Sequence, residues 1–462
     1  MPGWSTLRRD VLRSAERVAE LPVLRQDAIL YGLSALFAAG ESLFAVTADY
    51  REWGRVALVA YLAAAVLCEV AYRRRSRSGR PDPEASSRAS TLRRLVILLV
   101  LVAAVLAPLA LQVRWRATGN QHVTNLHGAQ AQPEVAVVER AGDRFARLED
   151  PYLAHPTTVG VSPSNDSRSV DASAYFPYLP GMAVFGLTNA AHLPRALRDA
   201  RLPLAGFTLI VVGLSLALSP SSSRRRWRTF QFLVVLPTGA LPMVTGGDDL
   251  PVLALLLLGL VLARRRQPVA AGIAMGFAGT LKWTAWPLIV LALLCVRDRE
   301  GARAAGRYAL AVYLVAVPVI LAGAAAGLHA FVVNVLKFPL GLTKVHSPAA
   351  SPLPGQVLVQ LFPGAKTQLT VGLIAAGAVV VLVMLVRHTP RSPYSAAWFA
   401  GWSLAFATVI APATRFGYLI YPANMFVWAY LLHESSARHL TAPAGTDERE
   451  PATAAQLASP TW

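Results

Sequence analysis

The sequence predicts an all-α integral membrane protein, a polytopic bundle of about 11–13 transmembrane helices with a large outer loop after the third span. Of the 462 residues, 54% are hydrophobic and only 15% are charged, against roughly 25% charged residues in soluble domains. Uncharged runs such as residues 95–113, 250–263 and 371–386 approach or reach the length that crosses about 30 Å of hydrocarbon. Helices suit these runs because they satisfy their own backbone hydrogen bonds in lipid.

The basic residues indicate how the chain is oriented in the bilayer. The formal net charge is +18, and arginines gather at the ends of apolar runs, as at 73–75, 224–226 and 264–266. Basic clusters in short loops mark the cytoplasmic side of a membrane protein. We therefore interpret the positive charge as a topology signal for the lipid bilayer, and expect no nucleic-acid partner.

Residues 1–26 are expected to form a cytoplasmic N-terminal segment. Residues 5–21 would be either a basic amphipathic helix on the inner leaflet or a solvated tail. The segment has no cleavage site for a signal peptide, and arginines precede any apolar run. They are Arg8, Arg9, Arg13 and Arg17.

Residues 27–94 add two spans and a basic loop to the N-terminal side. The apolar runs 28–47 and 56–72 predict the two spans. The loop 73–94 holds eight arginines against two acidic residues, which places it in the cytoplasm.

The third span, 95–113, leads into residues 114–175, the longest non-hydrophobic stretch, which should lie outside. The tail 433–462 is rich in Ala, Pro, Thr and Glu and is expected to be disordered. Cys68 and Cys295 lie in or beside apolar runs and suggest neither a disulfide nor a metal site. Between the outer stretch and the tail come apolar runs near 176–190, 203–219, 229–245, 250–263, 268–296, 307–327, 369–387, 395–412 and 416–432.

The run 268–296 is expected to break near Lys282 and Trp283. If the basic loops at Arg224, Arg264 and Arg297 all face the cytoplasm, this run must cross twice as two short helices. The run 176–190 would then be re-entrant or interfacial. Backbone that breaks inside a membrane is tolerated where it lines protein or water, so Lys282 should lie at an aqueous site.

The outer stretch 114–175 carries acidic and aromatic side chains that could serve catalysis. Glu134, just beyond a span, could act as a general base on a hydroxyl at the lipid–water boundary, with Asp150 and Asp143 as reserves. The alternative is that these acids are ordinary solvated loop residues. Tyr152 and Tyr178 could stack on a sugar or anchor helices at the interface.

A second acidic pair, Asp248 and Asp249, ends an apolar run. Adjacent acids there either face water or a partner in a site, or simply end the helix in water. The basic residues placed on the outer side after the first outer loop could recognise phosphate, or could lie at the interface with their side-chain stems in lipid. They are Lys282, Lys337, Lys344, Lys366 and Arg415, with His346 near Lys344.

Four stretches, in order, resemble the C-type-fold membrane glycosyltransferases of family 87, the polyprenyl-phosphate-sugar-dependent mannosyl- and arabinofuranosyltransferases. The resemblance covers roughly residues 95–432, which would form the glycosyltransferase-like transmembrane domain. The stretches are Gln132-Pro133-Glu134…Glu139-Arg140…Asp150-Pro151-Tyr152; Tyr175-Phe176-Pro177-Tyr178-Leu179-Pro180; Gly247-Asp248-Asp249-Leu250-Pro251 leading to Gly272…Lys282-Trp283; and Arg415-Phe416-Gly417-Tyr418…Tyr421-Pro422.

The resemblance implies an inverting sugar transfer from a polyprenyl phosphate donor to a cell-envelope glycan or glycolipid, on the outer face of the plasma membrane. Glu134 would be the base, where members usually have Asp; the extra methylene moves the carboxylate by about 1.5 Å. Members also tend to have a Gly-Gln-x-Asn-like stretch where this chain has Gly247-Asp248-Asp249.

Further roles follow for the remaining candidates. Lys282, Arg415 and Lys344 would bind the donor phosphate. The sugar or acceptor would contact Tyr152, Tyr178, Trp283, Asp248 and Asp249.

Two other functions stay open from the sequence. A flippase for lipid-linked sugars would share the outer cations, although no internal repeat of the kind typical of transporters is visible. A catalytically inactive scaffold for envelope synthesis is the other. No Gly-rich phosphate loop occurs, and we expect neither a cofactor nor a metal.

Overall fold

The computed structural model describes residues 21–77, 87–119, 131–152, 174–343, 345 and 349–433. Across these residues the secondary structure is helical, and the β-type pairing is limited to an isolated bridge between Ala350 and Thr414. The predicted all-α polytopic membrane class is thereby confirmed. The predictions for residues 5–20, Lys344, His346 and the tail after residue 433 lie outside the described residues.

The two N-terminal spans form a helical hairpin, α1 (Val23–Phe44) and α2 (Ala48–Arg77). The hairpin is joined to the rest of the fold by buried side chains of α2. The Trp53 indole donates to the carbonyl of Ala104 (3.0 Å), and the Tyr61 hydroxyl donates to that of Val235 (2.7 Å). These bonds satisfy polar groups that would otherwise be costly inside a membrane.

The third predicted span is α3 (Ser87–Leu101), which continues through a π-helical turn at Val102–Leu106 into α4 (Ala107–Thr118). The outer stretch that follows contains a further helix, α5 (Pro133–Ala146). The sequence analysis treated this stretch as a loop, so α5 is an addition to the expected fold.

The remaining elements include both short and long helices. After a 3₁₀ helix at Pro180–Gly186 come α6 (Leu187–Ala190), α7 (Arg195–Arg198), α8 (Arg201–Leu218), α9 (Ser223–Phe230), α10 (Pro237–Thr245), α11 (Leu250–Arg264), α12 (Pro268–Leu281), α13 (Trp286–Glu300), α14 (Ala302–Ala326), α15 (Leu328–Phe331), α16 (Pro354–Leu361), α17 (Lys366–Arg387), α18 (Pro393–Ile410) and α19 (Ile420–Leu432). Shorter irregular turns are a π-helical turn at Gln231–Val235, a 3₁₀ turn at Trp283–Ala285, a π-helical turn at Val332–Lys337, and 3₁₀ turns at Pro363–Ala365 and Phe416–Leu419.

Within the described ranges, six helices are long and apolar enough to cross a membrane by length and composition. They are Val23–Phe44, Ala48–Arg77, Ser90–Thr118, Arg201–Leu218, Ala302–Ala326 and Pro363–Arg387. Shorter apolar helices occur at Leu250–Arg264, Pro268–Leu281, Leu328–Lys337 and Phe416–Leu432. The total of about 11–13 crossings stays a prediction.

The two irregular regions expected from charge and hydropathy are both present. Helix α12 ends at Leu281 and α13 begins at Trp286, so the run 268–296 is broken at Lys282 as predicted. The run near 176–190 contains only the 3₁₀ helix Pro180–Gly186 and the one-turn α6, which is too short to span a bilayer.

These irregular regions meet where the candidate residues gather. The amide of Leu179 donates to the carbonyl of Leu281 (3.0 Å), which joins the segment before the 3₁₀ helix to the broken end of α12. Helix α5 packs on the same 3₁₀ helix through Gly142 and Gly186. A Cβ atom on Gly186 would lie 2.0 Å from the carbonyl oxygen of Val138, so this contact requires glycine.

Candidate functional site

Glu134 lies in the first turn of α5. Gln132 precedes the helix, and Pro133 occupies its first position, where a missing backbone N–H costs nothing and the fixed φ suits a helix. A carboxylate in the first turn also interacts favourably with the positive end of the helix dipole. The sequence therefore starts a helix here and puts Glu134 at its N-terminal end.

The Glu134 carboxylate forms an ion pair with Arg415, with 2.8 Å between Oε1 and a guanidinium nitrogen. The side chains are 20% and 36% exposed, so the pair is reachable from solvent. Burial alone would lower the pKa of Arg415, but the Glu134 carboxylate raises it above its ordinary value. The guanidinium therefore stays charged.

Arg415 has an extended backbone between α18 and α19, held by a neighbouring strand-like segment. The Thr414 amide donates to the carbonyl of Ala349 (2.9 Å), and the Ser351 amide donates to that of Thr414 (2.8 Å). The amide of Phe416 donates to the Ser351 hydroxyl (3.1 Å). Bonds on both sides fix the backbone that carries Arg415.

Lys282 is the centre of the second charged group. Its Nζ lies 3.0 Å from Asp248 Oδ1 and 2.6 Å from Asp249 Oδ1, and 4.8 Å from the centre of the Tyr178 ring. The side chain is only 13% exposed. Burial alone would lower the pKa of Lys282, but the two carboxylates raise it above its ordinary value, so the ammonium is retained.

The backbone of the 246–249 turn explains why two adjacent acids can face one lysine. Helix α10 ends at Thr245, and the amides of Gly246 and Gly247 both donate to the Pro242 carbonyl. Gly246 has φ +123°, a conformation that side chains rarely allow, and a Cβ there would meet Val135 of α5. This turn therefore needs glycine at 246.

A chain of hydroxyl groups completes the surroundings of Asp249. The Tyr421 hydroxyl of α19 donates to Asp249 Oδ1 (2.6 Å), and the Thr284 hydroxyl donates to Tyr421 (2.7 Å). Tyr421 belongs to a motif that the sequence analysis quoted without assigning it a role. Its alternative was that Asp248 and Asp249 end a helix in water, but both carboxylates are instead bound to Lys282.

The two charged groups form one site. Burial raises the pKa of Asp248, Lys282 lowers it, and the carboxylates of Asp249 and Glu134 raise it further, to about 6. Three carboxylates and two cations leave a net charge of −1 when every group is ionised.

A second ionic network holds α5 from its other side, and the sequence analysis did not foresee it. Arg116 lies 2.6 Å from Glu139 and 2.9 Å from Asp199, and Asp199 pairs with the fully buried Arg201 at 2.8 Å. Burial raises the pKa of Asp199, but the two arginines lower it below its usual value. Arg201 was not among the basic residues that the sequence analysis singled out. Its position directly before the apolar run 203–219 was the available signal.

The reserve acids and the aromatic candidates have other contacts. Asp143 accepts from Asn189 Nδ2 (2.7 Å), and Asp150 accepts from the amide of Tyr152 (2.9 Å). Tyr152 is buried, and its hydroxyl donates to the carbonyl of Tyr178 (2.9 Å). Trp283, beside Lys282, is 42% exposed. Trp283 is thus open to a ligand, whereas Tyr152 supports the Tyr178 backbone.

The arrangement offers carboxylates and two cations at one place, and the exposed Trp283 follows Lys282 directly in the chain. A carboxylate can accept a proton from a hydroxyl, and buried cations can stabilise charge that develops on an oxygen. No cluster of three or more His, Cys, Asp or Glu suited to a metal ion occurs among the residues that the structure describes.

A family model for glycosyltransferase family 87 matches residues 172–412, slightly more than half of the chain. The chain belongs to glycosyltransferase family 87. The resemblance found in its motifs is thereby confirmed, and the protein is a multi-pass membrane glycosyltransferase with a sugar donor and an acceptor as substrates. Comparisons with curated proteins and with solved structures gave no match.

The match to family 87 covers Tyr178, Asp248, Asp249 and Lys282 but neither Glu134 nor Arg415. The ion pair of Glu134 and Arg415 therefore joins two segments that flank the matched region. The geometry, rather than the family model, adds these residues to the site.

Proposed function

We propose that this glycosyltransferase moves a mannosyl or arabinofuranosyl residue from a polyprenyl phosphate to a cell-envelope glycan or glycolipid, with inversion at the anomeric carbon. The observation that supports this most is the 2.8 Å contact between Glu134 and Arg415 beside the Lys282 group. It puts a proton acceptor next to cations that suit a phosphate leaving group.

In the proposed reaction the acceptor oxygen attacks the anomeric carbon while the bond from that carbon to the phosphate oxygen breaks. The phosphate leaves with the bonding electron pair, and Glu134 takes the proton of the acceptor hydroxyl. Arg415 and Lys282 stabilise the negative charge that develops on the leaving phosphate. Polyprenyl phosphate and the glycosylated acceptor are the products.

Donor binding and base release are coupled in this proposal. Arg415 holds the Glu134 carboxylate through a 2.8 Å contact, so an acceptor hydroxyl must compete with the guanidinium for that carboxylate. A donor phosphate that binds Arg415 draws the guanidinium away from Glu134. The base then becomes available only when a donor is present, which limits transfer to the bound sugar.

The neighbouring side chains divide the remaining roles. Trp283 is half-exposed beside Lys282 and can stack on a sugar face, while Tyr178 packs against the Lys282 ammonium. Asp249 and Asp248 hold Lys282 and can accept hydrogen bonds from sugar hydroxyls when the lysine turns to phosphate. The Tyr152 hydroxyl donates to the backbone carbonyl of Tyr178 and so holds Tyr178 in place.

We place the active site on the extracytoplasmic face of the plasma membrane. The arginine clusters at 73–75, 224–226 and 264–266 suit the cytoplasmic side. Lys282 lies at the opposite end of α12 from the basic turn at Arg264–Arg266, which supports the outer side for the site.

The test is transfer by the purified full-length protein in lipid vesicles. Radiolabelled polyprenyl-phosphate mannose and polyprenyl-phosphate arabinose are each offered with a host envelope-glycan extract. We expect release of polyprenyl phosphate together with label in the glycan, and an inverted anomeric configuration by NMR. Movement of intact donor across the bilayer without release would instead identify a flippase, and neither movement nor release with either donor would overturn the proposal.

A further inference from the structure

We infer that Tyr50, in the N-terminal hairpin, is a positioning residue for the base Glu134. This inference rests on the proposed function. Tyr50 lies in the first turn of α2, far outside the region 172–412 that the family model matches. It would give the start of α2 a part in positioning the base.

The Tyr50 hydroxyl accepts a hydrogen bond from the side-chain amide of Gln132. The same Gln132 amide donates to the Thr245 hydroxyl at 3.2 Å, and the Gln132 backbone amide donates to the Thr245 carbonyl at 2.8 Å. Gln132 therefore joins three separate parts of the chain: the hairpin, the start of α5 and the end of α10.

Two of these parts each carry one half of the site. Gln132 directly precedes α5, so its placement fixes the helix end that carries Glu134. Thr245 ends α10 and precedes the turn that carries Asp248. A shift of Gln132 would therefore change the distance between the base and the acids that hold Lys282.

The hairpin can serve as a fixed point because the start of α2 is itself anchored. The side-chain amide of Gln112, on α4, donates to the Asp49 carbonyl (2.8 Å). Arg201 in turn donates to Gln112 Oε1 at 3.3 Å. Tyr50 is thus tied to the buried ionic network that also holds α5 through Glu139.

Tyr50→Phe removes one neutral hydrogen bond, the one from Gln132 to the Tyr50 hydroxyl, and this sets the size of the expected effect on kcat. The loss of such a bond changes an equilibrium by roughly two- to tenfold, and a base displaced by about 1 Å can lose on the order of a hundredfold in rate. We expect Tyr50→Phe to lower kcat by about three- to tenfold, with the KM for the donor changed by less than about twofold, since Tyr50 does not contact the cations.

Tyr61→Phe is the matched control. It also lies on α2, is fully buried, and donates to the Val235 carbonyl at 2.7 Å, away from Gln132. Both variants remove one hydroxyl that takes part in a hydrogen bond. Tyr50 is only partly buried whereas Tyr61 is fully buried, so Tyr50→Phe should not lower the melting temperature more than Tyr61→Phe does. Only Tyr50→Phe should lower kcat, and only Tyr50→Phe should speed hydrogen exchange of the backbone amides at the start of α5.

A double-mutant cycle separates positioning from general damage. If Tyr50 acts through Gln132, then Tyr50→Phe should have little further effect on kcat in a Gln132→Ala background. Equal kcat values and equal hydrogen-exchange rates for wild type, Tyr50→Phe and Tyr61→Phe would overturn the inference. The proposed function would still stand in that case, provided that the wild type transfers sugar. No transfer by the wild type would overturn the proposed function, and the positioning role of Tyr50 with it.

Discussion

Asp248 is a carboxylate of the site whose pKa is raised by its surroundings. Its carboxylate is buried beside Lys282, and Asp249 and Glu134 add further negative charge. The net charge of the five ionised groups opposes the entry of an anionic phosphate. A proton on Asp248 would bring that net charge to zero and would leave Lys282 paired with Asp249 alone.

The pKa of Asp248 predicts a specific pH dependence of stability. Burial raises this pKa from the ordinary 3.8 to about 6, so the folded protein holds the proton more tightly than the unfolded chain. The contribution of Asp248 to stability therefore falls as pH rises from about 4 to about 6. Above pH 6 the ionised, buried carboxylate has a constant cost.

Asp248→Asn isolates this contribution because the amide has nearly the same shape and does not titrate. We expect the difference in melting temperature, wild type minus variant, to decrease between about pH 4 and pH 6 and to level off above it. Lys282 does not titrate in this range, since its pKa is raised from 10.5. A difference in melting temperature that stays constant between about pH 4 and pH 6 would contradict the raised pKa of Asp248.

Individual site residues were predictable from sequence where charge and hydropathy conflict. Lys282 was expected at a water-exposed break because basic loops flank its apolar run, and the structure breaks the helix there. The pairing of Glu134 with Arg415 was not predictable, because 281 positions separate them and no local spacing reports such a contact. Tyr50 carries no distinctive sequence signal.

Helix α5 is the element that links the fold to the proposed chemistry. Glu139 of this helix forms an ion pair with Arg116. Gly142 of the helix packs directly on Gly186 of the 3₁₀ helix Pro180–Gly186. The start of α5 carries the base. A displacement of α5 should therefore reach Glu134.

Gly186→Ala tests this contact. The added methyl group would lie 2.0 Å from the Val138 carbonyl oxygen, so α5 must move. We expect a loss of roughly 1–3 kcal/mol in stability and a loss of at least about tenfold in transfer rate.

Gly206→Ala, on α8, is the control for the Gly186 variant, since a Cβ at Gly206 meets nothing within 4 Å. It should leave stability and rate close to those of the wild type. Equal transfer rates for the two alanine variants would show that the α5 contact does not hold the base.

Element boundaries were predictable where an apolar run is long or is flanked by arginines. The hairpin, the third span and the break at Lys282 all follow from such runs. Helix α5 was missed because the analysis looked for membrane-spanning runs, although Pro133 followed by Glu134 is a helix-start signal. The ionic network of Arg116, Asp199 and Arg201 depends on tertiary packing that hydropathy does not encode.

At the scale of the whole molecule, the orientation in the bilayer decides whether the site faces outside. The net charge of +18 and its concentration in short loops predict a cytoplasmic location for the turn before α14. The exposed turn after α5 should lie on the opposite side. Because Cys68 and Cys295 are both buried, single introduced cysteines can report on each loop.

We expect Leu148→Cys, at a position 96% exposed, to react with a membrane-impermeant maleimide in intact cells. Ala302→Cys, at the exposed start of α14, should react only after the cells are permeabilised. The unmodified protein provides the background. Labelling of Ala302→Cys but not Leu148→Cys in intact cells would reverse the orientation and place the site in the cytoplasm.

The most direct test of the account is the transfer rate of Glu134→Gln, measured with the polyprenyl phosphate donor that the wild type accepts. Glu149→Gln is the control, because Glu149 is an exposed carboxylate near the end of the same helix, 3.6 Å from Arg144. Loss of a general base predicts a rate lower by about a hundredfold or more for Glu134→Gln, with donor KM unchanged or lower because Arg415 is freed, and a near-normal rate for Glu149→Gln. A Glu134→Gln enzyme that transfers sugar at the wild-type rate would contradict the assignment of the base and return it to Asp150 or Asp143.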